Sequence, residues 1–373
     1  MAALFPKDGG AHTRTKLYGW FEPTLNFSTS AHQNFPEAND ATANRPELNQ
    51  FVVYLERLPN TVQTAHFDWG FHLTSLIGTD YRFTTGKGYF SGQLLSDNNP
   101  YGFDPALEYV DLYVPQVAQG LNIRIGRFIS VPGIEAQLAP NNYTFSHSLL
   151  YSIDPFTDTG VIATAKLSDQ WLAQIGLTAG HDVAPWAPDA KPSGTLCLDY
   201  TTRTVNENFY VCANGINDAR YAYNNLQQYD ATWYHKISKR IHTATEGYFM
   251  YERDVPSTIG PIAPETGANG AYCHAGLERC TAPEYAIVDF LQYERSTHDF
   301  FSLRADFLND KKGQRTGYQT RYYEETLSWT HWLGTTVQIR PEVRFDRALD
   351  RRAYGSGQHQ NQFTVASDVI FHF

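Results

Sequence analysis

Long apolar runs are absent from this sequence. The longest hold about five residues, such as 51–55, whereas a helix needs about 20 apolar residues to span a membrane. The chain therefore has no candidate transmembrane helix. A membrane crossing by strands stays open, because alternating segments are too short and too mixed to stand out in a hydropathy profile.

Several chemical signatures are also missing. There is no GxSxG, HExxH or GxxxxGK[ST] motif and no Rossmann glycine pattern, and the 13 histidines are dispersed. No CxxC pair occurs, which argues against zinc binding by the four cysteines. We therefore expect no catalytic residue, no cofactor and no metal site.

Positive charge is scarce. The chain carries 29 Lys and Arg against 39 Asp and Glu, a formal net charge of -10, and it has no run of basic residues. Nucleic-acid binding needs basic surface that neutralises phosphates, so we expect no nucleic-acid partner. The first six residues also lack the basic and apolar regions of a secretory signal. If the protein is exported, we expect its signal to have been removed.

Aromatic residues, by contrast, are abundant. They make up 14% of the chain, with 24 Tyr and 23 Phe, although the mean hydropathy is -0.43. Most apolar residues stand in ones and twos between polar residues, which is typical of strands with one apolar face. In the closing segment 362–373, one parity is almost entirely apolar: Phe363, Val365, Ser367, Val369, Phe371 and Phe373. A soluble sheet would bury such a face, whereas a membrane barrel turns it towards lipid.

Segments with this alternation occur in pairs that are joined alternately by short and long connections. About 14 are clear, and two further ones, 195–201 and 208–213, divide the long unassigned stretch 180–228. We therefore predict an all-β fold, a transmembrane antiparallel β-barrel of about 16 strands with short periplasmic turns and long extracellular loops. Residues 1–16 would form a loose N-terminal segment, and residues 17–373 a single barrel domain.

Charged residues repeat on one face of several predicted strands. In segment 337–346 the odd positions are apolar, while the even positions are Gln, Arg, Glu, Arg and Asp. Such a row cannot fill a dry core without a large desolvation cost, so we predict a water-filled lumen. The predicted pore-lining residues are Arg124, Arg304, Arg340, Arg344, Glu342, Asp346, Glu246 and Asp111.

The third long connection, 128–159, is the best candidate to fold into the lumen. It contains carboxylates and no Lys or Arg. Opposite arginines of the wall, these carboxylates would create a transverse field that filters ions and orients dipolar solutes. A loop that folds outward is the alternative. The predicted constriction residues are Glu135, Asn141, Tyr143 and Asp154.

The four cysteines predict two local disulfides. Reflecting the hairpin about residues 204 and 205 sets Cys197 opposite Cys212, and Cys273 lies close to Cys280 in one long loop. Two local disulfides would fit an oxidising compartment.

The order of several short motifs resembles the OmpL-like β-barrel porins of Gram-negative outer membranes. The resemblance rests on LERLPNTVQT at 55–64, HFDWGF at 66–71, TDYRFT at 79–84, YVDLY at 109–113, IGR at 125–127, RPEVRF at 340–345 and the closing strand. It implies a porin of the outer membrane that passes small hydrophilic solutes by diffusion. Porins of similar size also lead us to expect a homotrimer.

Two other functions compete with the porin hypothesis. A barrel that is plugged by its own loops, or occupied by a partner such as an electron-carrying cytochrome, would act as a scaffold or sheath, and ion conductance would separate it from an open pore. An outer-membrane lipase with a Ser-His-Asp site assembled in space would hydrolyse added phospholipid. A lumen of mixed charge suits sugars, amino acids and inorganic ions alike, so the pattern does not name the solute.

Overall fold

Sixteen strands form a closed antiparallel barrel in the computed structural model, which describes residues 14–131, 133–258 and 270–373. Each strand pairs with its neighbours along the chain, and β16 pairs with β1. The predicted 16-strand barrel is therefore confirmed. The strands are β1 Thr15–Ser28, β2 Pro46–Arg57, β3 Asp68–Gly78, β4 Gly102–Val114, β5 Leu121–Ile129, β6 Thr157–Lys166, β7 Trp171–His181, β8 Ser193–Thr201, β9 Glu207–Ile216, β10 Gln227–Lys236, β11 Ile241–Pro256, β12 Arg279–Glu294, β13 Asp299–Asp310, β14 Thr320–Leu333, β15 Val337–Ala348 and β16 Asn361–His372.

Helical structure in the described chain is limited to short turns within loops. These are α1 Tyr81–Thr84, α2 Gly92–Leu95, α3 Leu149–Ile153 and the 3-10 turn Ala139–Asn141. No helix among the described residues is long and apolar enough to cross a membrane.

Alternating burial separates two faces of the barrel wall. In β15 the even positions Gln338 to Asp346 are buried inside, while Val343 on the other face is 41% exposed. Near the short turns, the outward rings of Tyr293, Phe301 and Trp329 lie side by side on three adjacent strands. An outward apolar band that ends in aromatic rings is the surface that a lipid bilayer contacts.

The strand ends at the long loops differ from the sequence prediction. β4 begins at Gly102 and β11 extends to Pro256, so both strands reach beyond the segments whose alternation is visible in the sequence. Bulges next to Thr74 and Glu252 shift the register at this end of the barrel, and a shifted register breaks the alternation from which strands are predicted. Residues 15 and 16 belong to β1, and residues 1–13 of the predicted N-terminal segment lie outside the described residues.

Both predicted disulfides are confirmed. Cys197 and Cys212 face each other in the β8–β9 ladder and are bonded, as are Cys273 and Cys280. Cys197 and Cys212 are buried on the inner side of the barrel.

Candidate functional site: the lumen and its inward loop

The connection between β5 and β6 lies inside the barrel in its described residues, 130–131 and 133–156, and we call it the inward loop. Its helix α3 begins after Ser148, whose hydroxyl accepts a hydrogen bond from the Tyr151 N–H at 3.0 Å. The apolar side of α3 packs in a buried cluster with inward side chains of the wall. The cluster includes Leu149, Leu150, Ile153, Tyr248, Phe290, Leu308 and Tyr322. The lumen at this height is therefore occupied by the protein's own residues.

Three arginines of the wall hold the backbone of the inward loop. Arg340 donates from Nη1 to the carbonyl oxygens of Ala139, Asn142 and Thr144 at 2.8, 3.2 and 3.0 Å. Arg344 donates to the carbonyl of His147 at 2.6 Å. A guanidinium group has five donors in a fixed fork, so one arginine can fix several loop carbonyls and still bind a carboxylate.

The same arginines are paired with carboxylates. Arg304 lies 3.1 Å from Glu324 and 3.7 Å from Glu135, while Arg344 lies 2.8 Å from Asp346. The remaining pairs are Arg340 with Asp368 and Glu22, and Arg344 with Glu37 and Glu324. The side chains of all three arginines are at most 1% exposed. These arginines point into the barrel, and the inward loop covers them.

Wall carboxylates complete the attachment by accepting hydrogen bonds from loop N–H groups. Glu342 accepts from Phe145 and Ser146 at 3.0 and 3.2 Å. Asp306 accepts from Leu149, and Glu246 accepts from Ile134, both at 2.7 Å. The predicted pore-lining residues Glu342 and Glu246 therefore contact the loop directly.

Arg124 and Asp111 lie nearer the short turns. The Arg124 guanidinium donates to both Asp111 oxygens at 3.0 and 3.1 Å and stacks on the Tyr109 ring at 3.9 Å. The Arg124 side chain is 34% exposed, although Asp111 is buried. Among the predicted pore-lining arginines, Arg124 is thus the one that retains contact with solvent.

The four predicted constriction residues differ in their surroundings. Glu135 accepts a hydrogen bond from the Ser148 N–H within the loop at 3.0 Å, and the Tyr143 hydroxyl lies 3.2 Å from His242 of the wall. Asp154 accepts from the Gln228 amide of β10. Asn141 ends the 3-10 turn and is exposed.

Space lined by polar groups lies on both sides of the inward loop. Towards the short turns, inward side chains on β6, β7, β9 and β10 are half-exposed: Thr164, Gln174, Tyr210, Thr232 and Tyr234. Towards the long loops there is a small cavity of about 30 Å³. It is lined by Phe35, Pro36, Arg82, Phe83, Thr85, Ser152, Asp154, Phe156, Asp182, Tyr223, Asn224 and Arg315.

Sequence reasoning missed several residues of this site. Glu324 and Asp368 pair with the wall arginines, although both occupy the inward parity of strands whose alternation was visible. Glu37 comes from the first long loop, which shows no periodic pattern. Within the described ranges, no three His, Cys, Asp or Glu residues are arranged to hold a metal ion.

Comparison with known proteins agrees with this architecture. The family profile described as "Putative beta-barrel porin-2, OmpL-like" matches residues 16–373. Among curated protein sequences, none matches the chain.

Solved structures of three bacterial channels share the fold. The anion-selective porin of Comamonas acidovorans has a TM-score of 0.59 at 11% identity, over 96% of this chain and 99% of its own. The outer membrane channel DcaP of Acinetobacter baumannii has a TM-score of 0.58 at 9% identity, over 96% and 97%. The outer membrane protein OmpT of Vibrio cholerae, in its trimer form, has a TM-score of 0.56 at 8% identity, over 96% and 99%.

Proposed function

The chain belongs to the OmpL-like β-barrel porin family, and from this premise we propose that it is a passive diffusion channel of the Gram-negative outer membrane for small hydrophilic solutes and ions. The observation that carries this proposal is the polar interior on both sides of one inward loop. A 16-stranded barrel is wide enough for an aqueous channel, and the segment that narrows it sets the size of what passes. No covalent step is involved.

A sheath around a partner protein is less compatible with the interior. The inward loop lies inside the barrel at mid-height and is held there by Arg304, Arg340 and Arg344. A threaded partner would have to break these contacts and leave buried charges unpaired, which is costly. This argues for a channel that is narrowed by its own chain.

The buried pair of His181 and Asp158 does not form a complete catalytic triad with the other described residues. His181 Nδ1 lies 2.9 Å from Asp158, which is the arrangement found in a triad. Its Nε2 atom, however, has no hydrogen-bond partner among the described residues. No serine nucleophile completes this pair, which supports a channel rather than a hydrolase.

Association into homotrimers is part of the proposal. One solved relative in fold is a trimer form, and the outward band of this barrel is apolar enough to contact either lipid or a neighbouring copy. Light scattering of the detergent-purified protein, with the detergent mass subtracted, tests this. A mass of one barrel per particle would contradict it.

The proposed function is tested by single-channel recording of the refolded protein in a planar lipid bilayer. We expect stepwise conductance that scales with salt concentration. Folding is verified independently, because a closed barrel migrates differently on a gel before and after heating. A bilayer that stays closed with correctly folded protein would overturn the diffusion proposal.

A further inference from the structure

The inner wall formed by β10, β11 and β12 differs in charge from the arginine wall. Its inward positions 228–234, 244–252 and 284–292 contain no Lys or Arg. They contain Asp230, Glu246, Glu252 and Glu284, which are all buried. Across the described residues, buried side chains include 23 Asp and Glu but 5 Arg and no Lys. The buried interior therefore contains far more acidic than basic side chains, and this wall is a part of it without a basic residue at these positions.

Asp230 is the central unpaired group of this wall. It is 5% exposed, and neither of its carboxylate oxygens accepts a hydrogen bond. The Gln228 amide donates to Asp154 and also lies close to Asp230 on the same strand face. Glu284 is 1% exposed, and both of its oxygens are also without a partner. A buried carboxylate without a donor is unfavourable unless a proton or a cation compensates it.

The ladder register places further carboxylates beside Asp230. Asp230 is opposite Tyr248 and Thr232 is opposite Glu246, so Asp230 and Glu246 are diagonal neighbours on one face, roughly 7–8 Å apart. Asp154 of the inward loop reaches the same wall through Gln228. We call Asp154, Asp230, Glu246 and Glu284 the acidic wall.

The acidic wall lies between the two polar spaces of the lumen. Asp154 lines the cavity at the long-loop side, and β10 continues from Asp230 to the half-exposed Thr232 and Tyr234 at the short-turn side. On the nearby strands β13 and β15, Arg304, Arg340 and Arg344 are covered and already paired with carboxylates. A solute that passes along β10 runs beside the acidic wall, whose Asp230 and Glu284 carboxyl groups have no hydrogen-bond partner, whereas those arginines are already paired.

The positive charge nearest to this route is that of Arg315, which donates its hydrogen bonds to uncharged oxygen atoms. Arg315 donates to the carbonyl of Ile153 and to the side-chain oxygen of Asn224, at 2.8–3.0 Å. It has no ion pair within 4.0 Å among the described residues. Near this route, one arginine therefore accompanies the four carboxyl groups of the acidic wall.

We propose that the acidic wall is a cation-binding station on the permeation pathway, which makes the porin selective for small cations. Its ligands would be monovalent inorganic cations and small alkylammonium or diammonium ions. Because no three acidic groups in the described part of the chain are placed to chelate a metal ion, weak binding of hydrated or organic cations fits better than coordination of a dehydrated one. This inference rests on the proposed diffusion function and adds its substrate class.

The reversal potential in a potassium chloride gradient tests the inference. We expect the wild type to conduct potassium better than chloride, and Asp230→Asn, which keeps the side-chain shape, to lower that permeability ratio by about twofold or more. Glu284→Gln should act in the same direction. The matched control is Asp169→Asn, which removes a carboxylate from an exposed turn outside the lumen and should leave the ratio unchanged. A conducting wild type that prefers chloride, or an unchanged ratio in Asp230→Asn, would overturn the inference.

A second measurement tests cation binding at the acidic wall independently of conduction. We expect 1,3-diaminopropane to raise the unfolding temperature of the detergent-solubilised wild type, and to raise that of Asp230→Asn distinctly less. If the folded wild type fails to conduct, the diffusion proposal is wrong, and a diamine shift that depends on Asp230 would still support the binding station. Equal shifts in both proteins would overturn the station whether or not the channel conducts.

Discussion

Arg344 is held both by ion pairs with carboxylates and by a hydrogen bond to the backbone of the inward loop. Its Nε and Nη2 atoms donate to Asp346 at 2.8–3.1 Å, and its Nη1 atom donates to the His147 carbonyl. Glu37 lies 3.4 Å away. Removing the guanidinium would leave several buried carboxylates without their cation.

We expect Arg344→Ala to destabilise the folded barrel by about 3–5 kcal/mol, which is the usual cost of breaking one side of a buried ion pair. Arg347→Ala is the control, since Arg347 belongs to the same strand but is exposed on the outer face. It should cost less than about 1 kcal/mol. The measurement is the urea midpoint for loss of the folded band. Equal midpoints for the two variants would contradict the anchoring role of Arg344.

Asp80, at the long-loop end of the barrel, makes the stability of the fold depend on pH. Burial raises the pKa of the Asp80 carboxyl to about 7, although Asn39 and Gln50 donate hydrogen bonds to it. The folded state thus prefers the protonated form, so this stability is fully present below about pH 4 and is lost as pH rises through about 7.

We therefore expect Asp80→Asn to stabilise the barrel relative to the wild type at pH 8, by up to about 4 kcal/mol, and to change little at pH 4. Asp350 provides a control of opposite sign, because the Arg321 guanidinium beside it lowers the pKa of the Asp350 carboxyl. The change in stability that Asp350→Asn causes should become smaller as pH falls. Unfolding midpoints between pH 4 and pH 8 would decide, and parallel curves for wild type and Asp80→Asn would refute the argument.

At the scale of single elements, the inward loop is the segment whose release should change conduction. Arg340 and Arg344 hold four of its carbonyl oxygens. We expect the double variant Arg340→Gln with Arg344→Gln to raise single-channel conductance and to shift the reversal potential further towards cations, because two positive charges leave the lumen. The control is Arg321→Gln with Arg347→Gln at outward positions. A channel with unchanged conductance and reversal potential would show that these arginines do not bound the narrow region.

The β8–β9 hairpin and the loop before β12 each contain a disulfide. Because both pairs are closed, we expect a thiol-reactive maleimide to add no label to the urea-unfolded, unreduced protein. Four labels should appear after reduction. Mass spectrometry of the intact chain distinguishes these cases, and one or two labels without reduction would show an open pair.

The sequence predicted strand faces well because a strand's period of two is local. The inward row of β15, from Gln338 to Asp346, is an example, since each charge follows directly from parity. The inward loop that covers this row could not be predicted in the same way. Arg340 bonds to residues about 200 positions away in a loop without periodicity, and no local pattern encodes such a contact. The same holds for Asp230, whose lack of a partner depends on where Gln228 donates.

At the scale of the whole molecule, the even strand count and the outward band were visible in the sequence, but the seam that closes the barrel was not. β1 pairs with β16, and Gly19 and Phe373 exchange backbone hydrogen bonds at 3.1 and 3.0 Å. Closure brings together residues from opposite ends of the chain, so its register depends on every intervening ladder.

Because Gly19 has no side chain, β1 can pack closely against its surroundings at this point. A Cβ atom at Gly19 would lie 2.0 Å from the Val52 carbonyl oxygen and 2.8 Å from the Phe373 ring. Even one methyl group would therefore push β1 away from a neighbouring strand and displace the aromatic ring that covers it. Overpacking of this kind usually costs about 1–3 kcal/mol.

We expect Gly19→Ala to lower the fraction of refolded protein that migrates as a closed barrel, and to lower the temperature at which that band disappears. Gly92→Ala is the matched control, because nothing lies within 4 Å of its Cβ position. Phe373→Ala combined with Gly19→Ala should recover part of the loss, since it removes the ring that the new methyl group meets but not the carbonyl of Val52. If Gly19→Ala and Gly92→Ala refold and melt alike, close packing at the β1–β16 seam does not limit barrel closure.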